Sequence, residues 1–299
     1  MANLTLKQLR YFEALARHSH FGRAAEACAI SQPALSMQIR EMEDTLGTAL
    51  VERGARSLRL TAFGSDFLAR ARAILAQVDD LEDLARAAGE GLAGRLRMGV
   101  IPTIAPYLLP SLIGLLSARF PALDLGLRET LTPRLIRELA EGRLDCAILA
   151  LPVSEPSLTE VALFSECFVL VRPLADATRP VPSREGLREM RLLLLEEGHC
   201  FRDQALSFCN LAPNGPREMM DGSSLSTLVQ MVGAGIGVTL IPDMAVAVET
   251  LSAPVSTARF SAPQPERSIG MVWRKTSPLA PQLRQIAEVV REAGLAQRA

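Results

Sequence analysis

Over the first sixty residues apolar positions recur at helical spacing in short bursts, LKQLRYFEALAR, FGRAAEACAI and SQPALSMQIREMEDTLG, separated by polar or small residues. The pattern predicts three short helices, followed by a polar hairpin at ERGARSLRLT. Ala24 and Ala25 leave room for close helix approach at the first corner. Ser31 followed by Pro33 predicts a third helix that starts near Pro33 behind a serine N-cap. In that helix Ala34, Leu35, Ile39 and Met42 are expected inward, leaving Ser31, Gln32, Ser36, Gln38 and Arg40 outward. This arrangement suits a recognition helix in a major groove, with the hairpin as its wing.

From Phe63 to about Gly91 the positions Phe67, Ala71, Ile74, Val78, Leu81 and Ala85 step by 4, 3, 4, 3 and 4. This heptad seam predicts a helix that pairs with its copy in a second subunit; a core helix of one globular domain is the alternative. Gly89, Gly91 and Gly94 mark a boundary. From Arg95 strand-like and helix-like runs alternate, from RLRMGVI and PYLLPSLIGLLSARF to SIGMVWRK and PQLRQIAEVVREAG. Such alternation predicts parallel βαβ units, here in two small α/β lobes with a ligand cleft between them.

A chain of 299 residues with 48% hydrophobic and 22% charged residues excludes small disulfide scaffolds and long disordered tracts. Lys+Arg 32 against Asp+Glu 33 removes any chain-wide basic field, so contact with nucleic acid must come from a local patch. Lys7, Arg10, Arg17, Arg23, Arg40, Arg53, Arg56 and Arg59 supply a modest one. No apolar run reaches the ~18 residues needed to cross a bilayer, and MANLTLKQLR lacks the apolar core of a secretory signal. The expectation is a cytoplasmic protein with no membrane partner. His18 and His20 are joined by no carboxylate or thiol pattern, and the five cysteines have no zinc spacing, so neither a metal nor a cofactor is expected.

Cys200 and Cys209 flank FRDQALSF, a helix-like stretch. Nine residues of α-helix rise ~13.5 Å and turn through about two and a half revolutions, which puts the thiols on opposite faces. A disulfide needs Cα atoms within ~7 Å, so bonding would require the segment to unwind or move. The pair is therefore a switch candidate; closing the loop is worth ~2–3 kcal/mol, comparable with allosteric coupling energies of about 1–3 kcal/mol. His199, Arg202 and a helix N-terminus favour the Cys200 thiolate, and Asp203 opposes it. The alternative is two inert core thiols. Cys28, in an Ala-rich helix, and Cys146 and Cys167, in apparently buried strands, are read as packing.

The stretch from LKQLRYFEALARHSHFGRAAEACAISQPALSMQ to ERGARSLRLTAFG resembles the winged helix-turn-helix of LysR-type transcriptional regulators. The part from residue 95 resembles that family's effector domain, which is similar to a periplasmic binding protein. Within it, LLLLEEGHCFRDQALSFC resembles the peroxide-sensing members. The resemblance implies a two-domain α/β chain: a DNA-binding domain over 1–61, a dimerisation helix over 62–92 and a redox-sensing effector domain over 93–299. It implies Cys200 as peroxidatic and Cys209 as resolving thiol, joined in a reversible disulfide that activates antioxidant genes. Thr103 in GVIPT, Thr132 in RETLT and Arg267 in PERSIG then surround the thiol together with His199, Arg202 and Asp203. The threonines also suit helix N-caps and Arg267 a surface strand. Ser31, Gln32, Pro33, Ser36, Gln38, Arg40, Arg53, Arg56 and Arg59 become the DNA contacts.

The implied partners are double-stranded promoter DNA of dyad symmetry, hydrogen peroxide, RNA polymerase, further copies in a homodimer or homotetramer, and glutaredoxin or thioredoxin as reductant. The protein is then not an enzyme. Phe201 and Ser207 depart from the pattern, which more often has smaller residues there. Competing readings are a LysR-type regulator of a small organic effector without a thiol switch, a thiol peroxidase, and a solute-binding protein, which the residues preceding the effector part disfavour.

Overall fold

Thr5 opens helix α1 (Leu6–His18) with a reciprocal cap, its hydroxyl accepting from the Gln8 amide while the Gln8 side chain accepts from the Thr5 amide. The computed structural model describes residues 4–53, 58–87, 92–209 and 221–297. Helix α2 (Phe21–Ala27) is capped by His20, whose Nδ1 accepts from the amides of Gly22 and Arg23. Helix α3 (Gln32–Leu46) starts behind Ser31, which accepts from the Ala34 amide, and ends at Gly47. Ala24 and Ala25 are buried at the α1–α2 corner with Phe12, Leu15, Leu35, Ile39 and Met42. Strands β1 (Val51–Arg53) and β2 (Leu58–Leu60) pair antiparallel. Glu43 ties this wing to α3 by accepting from the amides of Leu50 and Val51.

Helix α4 (Ala62–Ala87) carries the heptad seam. Leu68 and Ala71 are buried, whereas Ile74, Leu81 and Leu84 lie exposed on the single chain. The chain divides into two compact units, the first ending at Ala85 and the second beginning at Arg86.

The second unit runs β3 (Gly94–Val100), α5 (Ala105–Arg119), β4 (Leu123–Glu129), α6 (Thr132–Ala140), β5 (Cys146–Leu151) and β6 (Leu158–Pro173). It continues through a 3-10 turn (Leu174–Asp176), α7 (Arg184–Glu189), β7 (Leu192–Leu195), α8 (Cys200–Cys209), β8 (Asp221–Gly222) and α9 (Leu225–Gly233). It ends with β9 (Val238–Pro242), α10 (Asp243–Glu249), β10 (Val255–Arg259), β11 (Glu266–Arg274) and α11 (Ala280–Ala296). The strand order is β4-β3-β5-β11-β6-β9-β7-β8, with β10 also on β6.

The two lobes expected from sequence are present, each with its own apolar core. Met98, Leu112, Ile148, Trp273 and Leu283 fill one; Phe168, Leu193, Phe201, Leu228 and Ile241 fill the other. The strand sense departs from the purely parallel expectation. β3 runs parallel to β4 and β5, and β7 parallel to β8 and β9, but β6 and β11 are antiparallel to all their neighbours. The reason is physical: a central strand covered on both faces reads as a continuous apolar run in either sense, so CAILAL and FVLV carry no directional signal. β6 joins the lobes, its first part pairing with β11 and its last part with β9 and β10.

The β11–β6 register shifts between Ile269 and Gly270, where the backbones approach closely. A Cβ on Gly270 would stand 2.3 Å from Leu151 Cδ1 and 2.8 Å from the Val161 carbonyl oxygen. Gly270→Ala is expected to lower the stability of the second unit by ~1–3 kcal/mol, as overpacking does. Urea denaturation of the variant against the parent chain measures it; an unchanged midpoint would refute the close approach.

Candidate functional site

Gly198, at φ 94, turns the chain out of β7 and into α8. Cys200 is the first residue of that helix and Cys209 the last. Both thiols are free. Cys200 is half-buried and packs against the core of the first lobe, while Phe201, Ala205, Leu206 and Cys209 are buried in the core of the second. One helix of ten residues thus holds its two sulfurs against two different cores. Burial pushes the Cys209 thiol up to about 11, the Arg188 and Arg184 guanidiniums acting in the opposite direction. Arg188 Nε donates to the Cys209 carbonyl at 2.9 Å and fixes the end of the helix.

On the other side of Phe201 lies a fully enclosed cation. Arg267 stands directly opposite Glu166 on the β11–β6 ladder, and its side chain is 0% exposed. Its Nε donates to Glu166 Oε1 at 2.8 Å, Nη1 to the Thr103 hydroxyl at 2.8 Å and Nη2 to the Thr103 carbonyl at 3.1 Å. The guanidinium carbon sits 5.2 Å from the Phe201 ring centre, and Phe201 meets Phe168 edge to face. Thr103 and His199 also line a cavity of about 310 Å3, with Tyr107, Leu131, Ser224 and Glu249 on its walls. Tyr107 donates to Glu249 Oε1 at 2.6 Å, and burial together with that carboxylate raises the phenol strongly.

Several expected roles change. Thr103 and Thr132 do not cap helices: the N-caps are Ile104 and Leu131, so Thr103 lies one residue too early and Thr132 one too late. The Thr132 hydroxyl is buried with no hydrogen-bond partner among the described residues. Arg267 is buried, not on a surface strand. Arg202 does not stand free beside the thiol; its Nη1 donates to the Leu195 carbonyl at 2.7 Å and to Asp221 at 2.6 Å. His199 is buried, and desolvation holds it below the ordinary imidazole range although Glu196 pulls the other way. It is therefore neutral rather than cationic near neutral pH. Asp203 is exposed. Of the three features expected to favour the Cys200 thiolate, its place in the first turn of a helix is the one retained. Cys167 is half-buried, not buried as expected from its strand; Cys146 is buried and its thiol raised well above the ordinary value by desolvation.

Glu166, Tyr107 and Glu249 were missed by sequence reasoning. A single acid inside the apolar run LFSECFVLV was the available signal for Glu166, because a buried carboxylate demands a partner.

In the first unit Ser31, Gln32, Pro33, Arg40 and Arg59 are exposed. Ser36 and Gln38 are half-buried, and Gln38 donates to Glu41 at 2.7 Å within the helix. Arg56 and the side chain of Arg53 lie outside the described residues. Among the described residues no group of three or more His, Cys, Asp and Glu side chains is placed to hold a metal. None of their helices is long and apolar enough to cross a membrane.

Residues 6–65 match the family model of the bacterial regulatory helix-turn-helix protein, lysR family, and residues 89–295 that of the LysR substrate binding domain. A probable hydrogen peroxide-inducible genes activator of Streptomyces viridosporus is 45% identical over 293 residues, covering 97% of this chain and 94% of the relative. The DNA-binding transcriptional dual regulator OxyR of Escherichia coli is 41% identical over 292 residues, covering 96% and 95%. Among solved structures, a full-length OxyR cysteine variant of Pseudomonas aeruginosa superposes with a TM-score of 0.77 at 37% identity, covering 97% of this chain and 95% of that one. A hydrogen peroxide-bound cysteine mutant of Corynebacterium glutamicum OxyR gives 0.68 at 34% identity, covering 98% and 93%.

Two outcomes follow from the burial of the site. At pH 8 iodoacetamide is expected to alkylate Cys200 well before Cys209, whose labelling should wait for denaturant; peptide mass mapping over time reads the order, and simultaneous labelling would refute the buried placement. His199 binds a proton less readily in the folded chain than in the unfolded one, so the unfolded state gains protons first as pH falls. Its contribution to stability is therefore complete above about pH 6.5 and declines below that. His199→Gln should flatten the stability profile below about pH 6.5, as thermal unfolding on either side of that pH would show.

Proposed function

This chain belongs to the LysR family of bacterial transcriptional regulators, as a hydrogen peroxide sensor of the OxyR type, and on that premise we propose that the signal is a disulfide formed between Cys200 and Cys209. The observation that carries the reading is the placement of the two thiols at opposite ends of one short helix, against separate cores. The Cys200 thiolate attacks one peroxide oxygen: an S–O bond forms, the O–O bond breaks, and hydroxide leaves with the electron pair to become water. Cys209, deprotonated as it emerges, attacks the Cys200 sulfenic sulfur, closes the disulfide and releases a second hydroxide. Two thiols and one peroxide thus become one disulfide and two waters.

Order follows from burial. Cys209 is held protonated inside the second core, so resolution waits on the opening of α8, and Cys200 is oxidised first. Thr103, Thr132 and Arg267, with His199, form the polar surroundings of the peroxide in this reading. α3 and the wing read double-stranded promoter DNA through Ser31, Gln32, Pro33, Ser36, Gln38, Arg40, Arg53, Arg56 and Arg59. The exposed apolar seam of α4 pairs subunits into a homodimer, and two dimers form a homotetramer. Disulfide formation repositions the DNA-binding units so that RNA polymerase is recruited, and glutaredoxin or thioredoxin resets the switch. The protein works in the cytoplasm and is a sensor, not a turnover enzyme.

A second reading has one observation in its favour: a cavity of about 310 Å3 has room for a small organic effector. Cys200→Ser separates the two. The thiol reading expects peroxide-dependent transcription to be lost, and Cys209→Ser to leave a sulfenic acid at Cys200 that dimedone traps without disulfide. Mass mapping after one equivalent of hydrogen peroxide, with promoter footprints in both redox states, reads chemistry and output together. A peroxide response that survives Cys200→Ser would sink the mechanism.

A further inference from the structure

The Arg267 guanidinium has donors only, so the Thr103 hydroxyl oxygen at its Nη1 must be the acceptor of that bond. This commits one lone pair of the hydroxyl to the cation. Its own proton is turned away from the cation and finds no acceptor among the described residues, while Thr103 lines the cavity it shares with His199, the neighbour of Cys200. What holds the guanidinium in register is Glu166: its Oε1 takes both Nε and Nη2, its side chain is 3% exposed, and it sits directly across the ladder. Glu166 Oε2 faces the Met244 amide at the start of α10, 3.5 Å away. The Phe201 ring covers the guanidinium face and denies it a second position.

We propose that Glu166 is a positioning residue for peroxide reduction: through Arg267 it orients the Thr103 hydroxyl as a hydrogen-bond donor to the oxygen that leaves when Cys200 attacks. Glu166 touches neither peroxide nor sulfur. The step it serves moves an electron pair from the Cys200 sulfur into a new S–O bond while the O–O pair departs on hydroxide, where negative charge develops and a fixed donor matters most. Glu166 also neutralises Arg267, which keeps an unpaired charge out of the buried site.

The inference rests on Cys200 being the peroxide-reactive thiol, and the test separates the two. The rate of Cys200 oxidation by hydrogen peroxide is measured against its alkylation by iodoacetamide, both on the pH plateau where the thiol is ionised. Iodoacetamide has no leaving oxygen, so a misplaced donor lowers the ratio of the two rates, whereas a change in ionisation or access moves both. Glu166→Ala is expected to lower the ratio at least tenfold, part of the ~100-fold or more that a lost donor to a developing oxyanion costs. Glu166→Gln, which keeps an acceptor in the same place but not the neutralising charge, is expected to lose measurably less than the alanine variant. In a Thr103→Val background neither change should lower the ratio further, since residues acting as one unit are not additive. If the alanine variant fails to fold, Glu166→Asp moves the acceptor by one methylene at constant charge and carries the same expectation. An unchanged ratio, equal losses for Ala and Gln, or losses that multiply with Thr103→Val would overturn the role of Glu166 alone. Peroxide oxidation that bypasses Cys200 in the unmodified chain would instead overturn the reading on which it rests.

Discussion

The length of α8, set against the packing at its two ends, governs the redox half of this molecule. Nine residues of helix separate Cys200 from Cys209 by ~13.5 Å along the axis, about twice the Cα separation that a disulfide tolerates. No small adjustment closes that gap. Phe201 and Leu206, buried in the second core, resist unwinding, each such side chain being worth ~1.5–3 kcal/mol of burial. Arg188 adds a hydrogen bond to the last carbonyl of the helix. The crosslink proposed for these thiols would therefore need a second arrangement of the segment, separated from this one by the loss of that packing, which is what a switch requires.

The buried guanidiniums around the site are each paired with a carboxylate. Arg267 is paired with Glu166, Arg202 with Asp221, and His199 is kept neutral by burial. Thiol activation cannot then come from a loose cation beside the sulfur. What stands beside the sulfur instead is the first turn of α8, with the Thr103 hydroxyl bonded to Arg267 in the cavity nearby. Peroxide chemistry at such a site, as proposed above, would depend on geometry, and so on residues that never approach the sulfur. The same balance keeps the desolvation cost of the buried guanidinium low, because each of its nitrogens has an acceptor at hand.

The parts of this structure that were legible in the sequence are those whose signal is local. Ser31 and Pro33 mark the start of α3, and Ala24 and Ala25 mark a helix crossing, because caps and close approaches need those residue types at those places. The helix between Cys200 and Cys209 was legible for the same reason. The sense of β6 and β11 was not, since a strand buried on both faces loses the alternation that would reveal its surroundings. Thr103 and Thr132, read as candidate caps, do stand at two helix starts, but each lies one residue away from where the backbone turns. Arg202 looked free because its partner, Asp221, lies nineteen residues on, beyond any local pattern. Arg267 and Glu166 are a hundred and one residues apart, and only the ladder register brings them face to face.

On the proposed mechanism this geometry would also separate sensing from turnover. An enzyme that reduced peroxide continually would need its resolving thiol within reach of the sulfenic acid at every cycle, and a reductant path to the disulfide. In the mechanism proposed above the resolving thiol begins protonated and enclosed, and each cycle would have to dismantle a packed helix before the second bond could form. Resolution is then limited by opening of the segment rather than by thiol chemistry, and reversal requires the helix to be rebuilt around two reduced sulfurs. A switch of that kind would be slow to set and slow to reset. Those are poor properties for consuming peroxide and useful ones for a regulator whose oxidised state must persist while transcription responds.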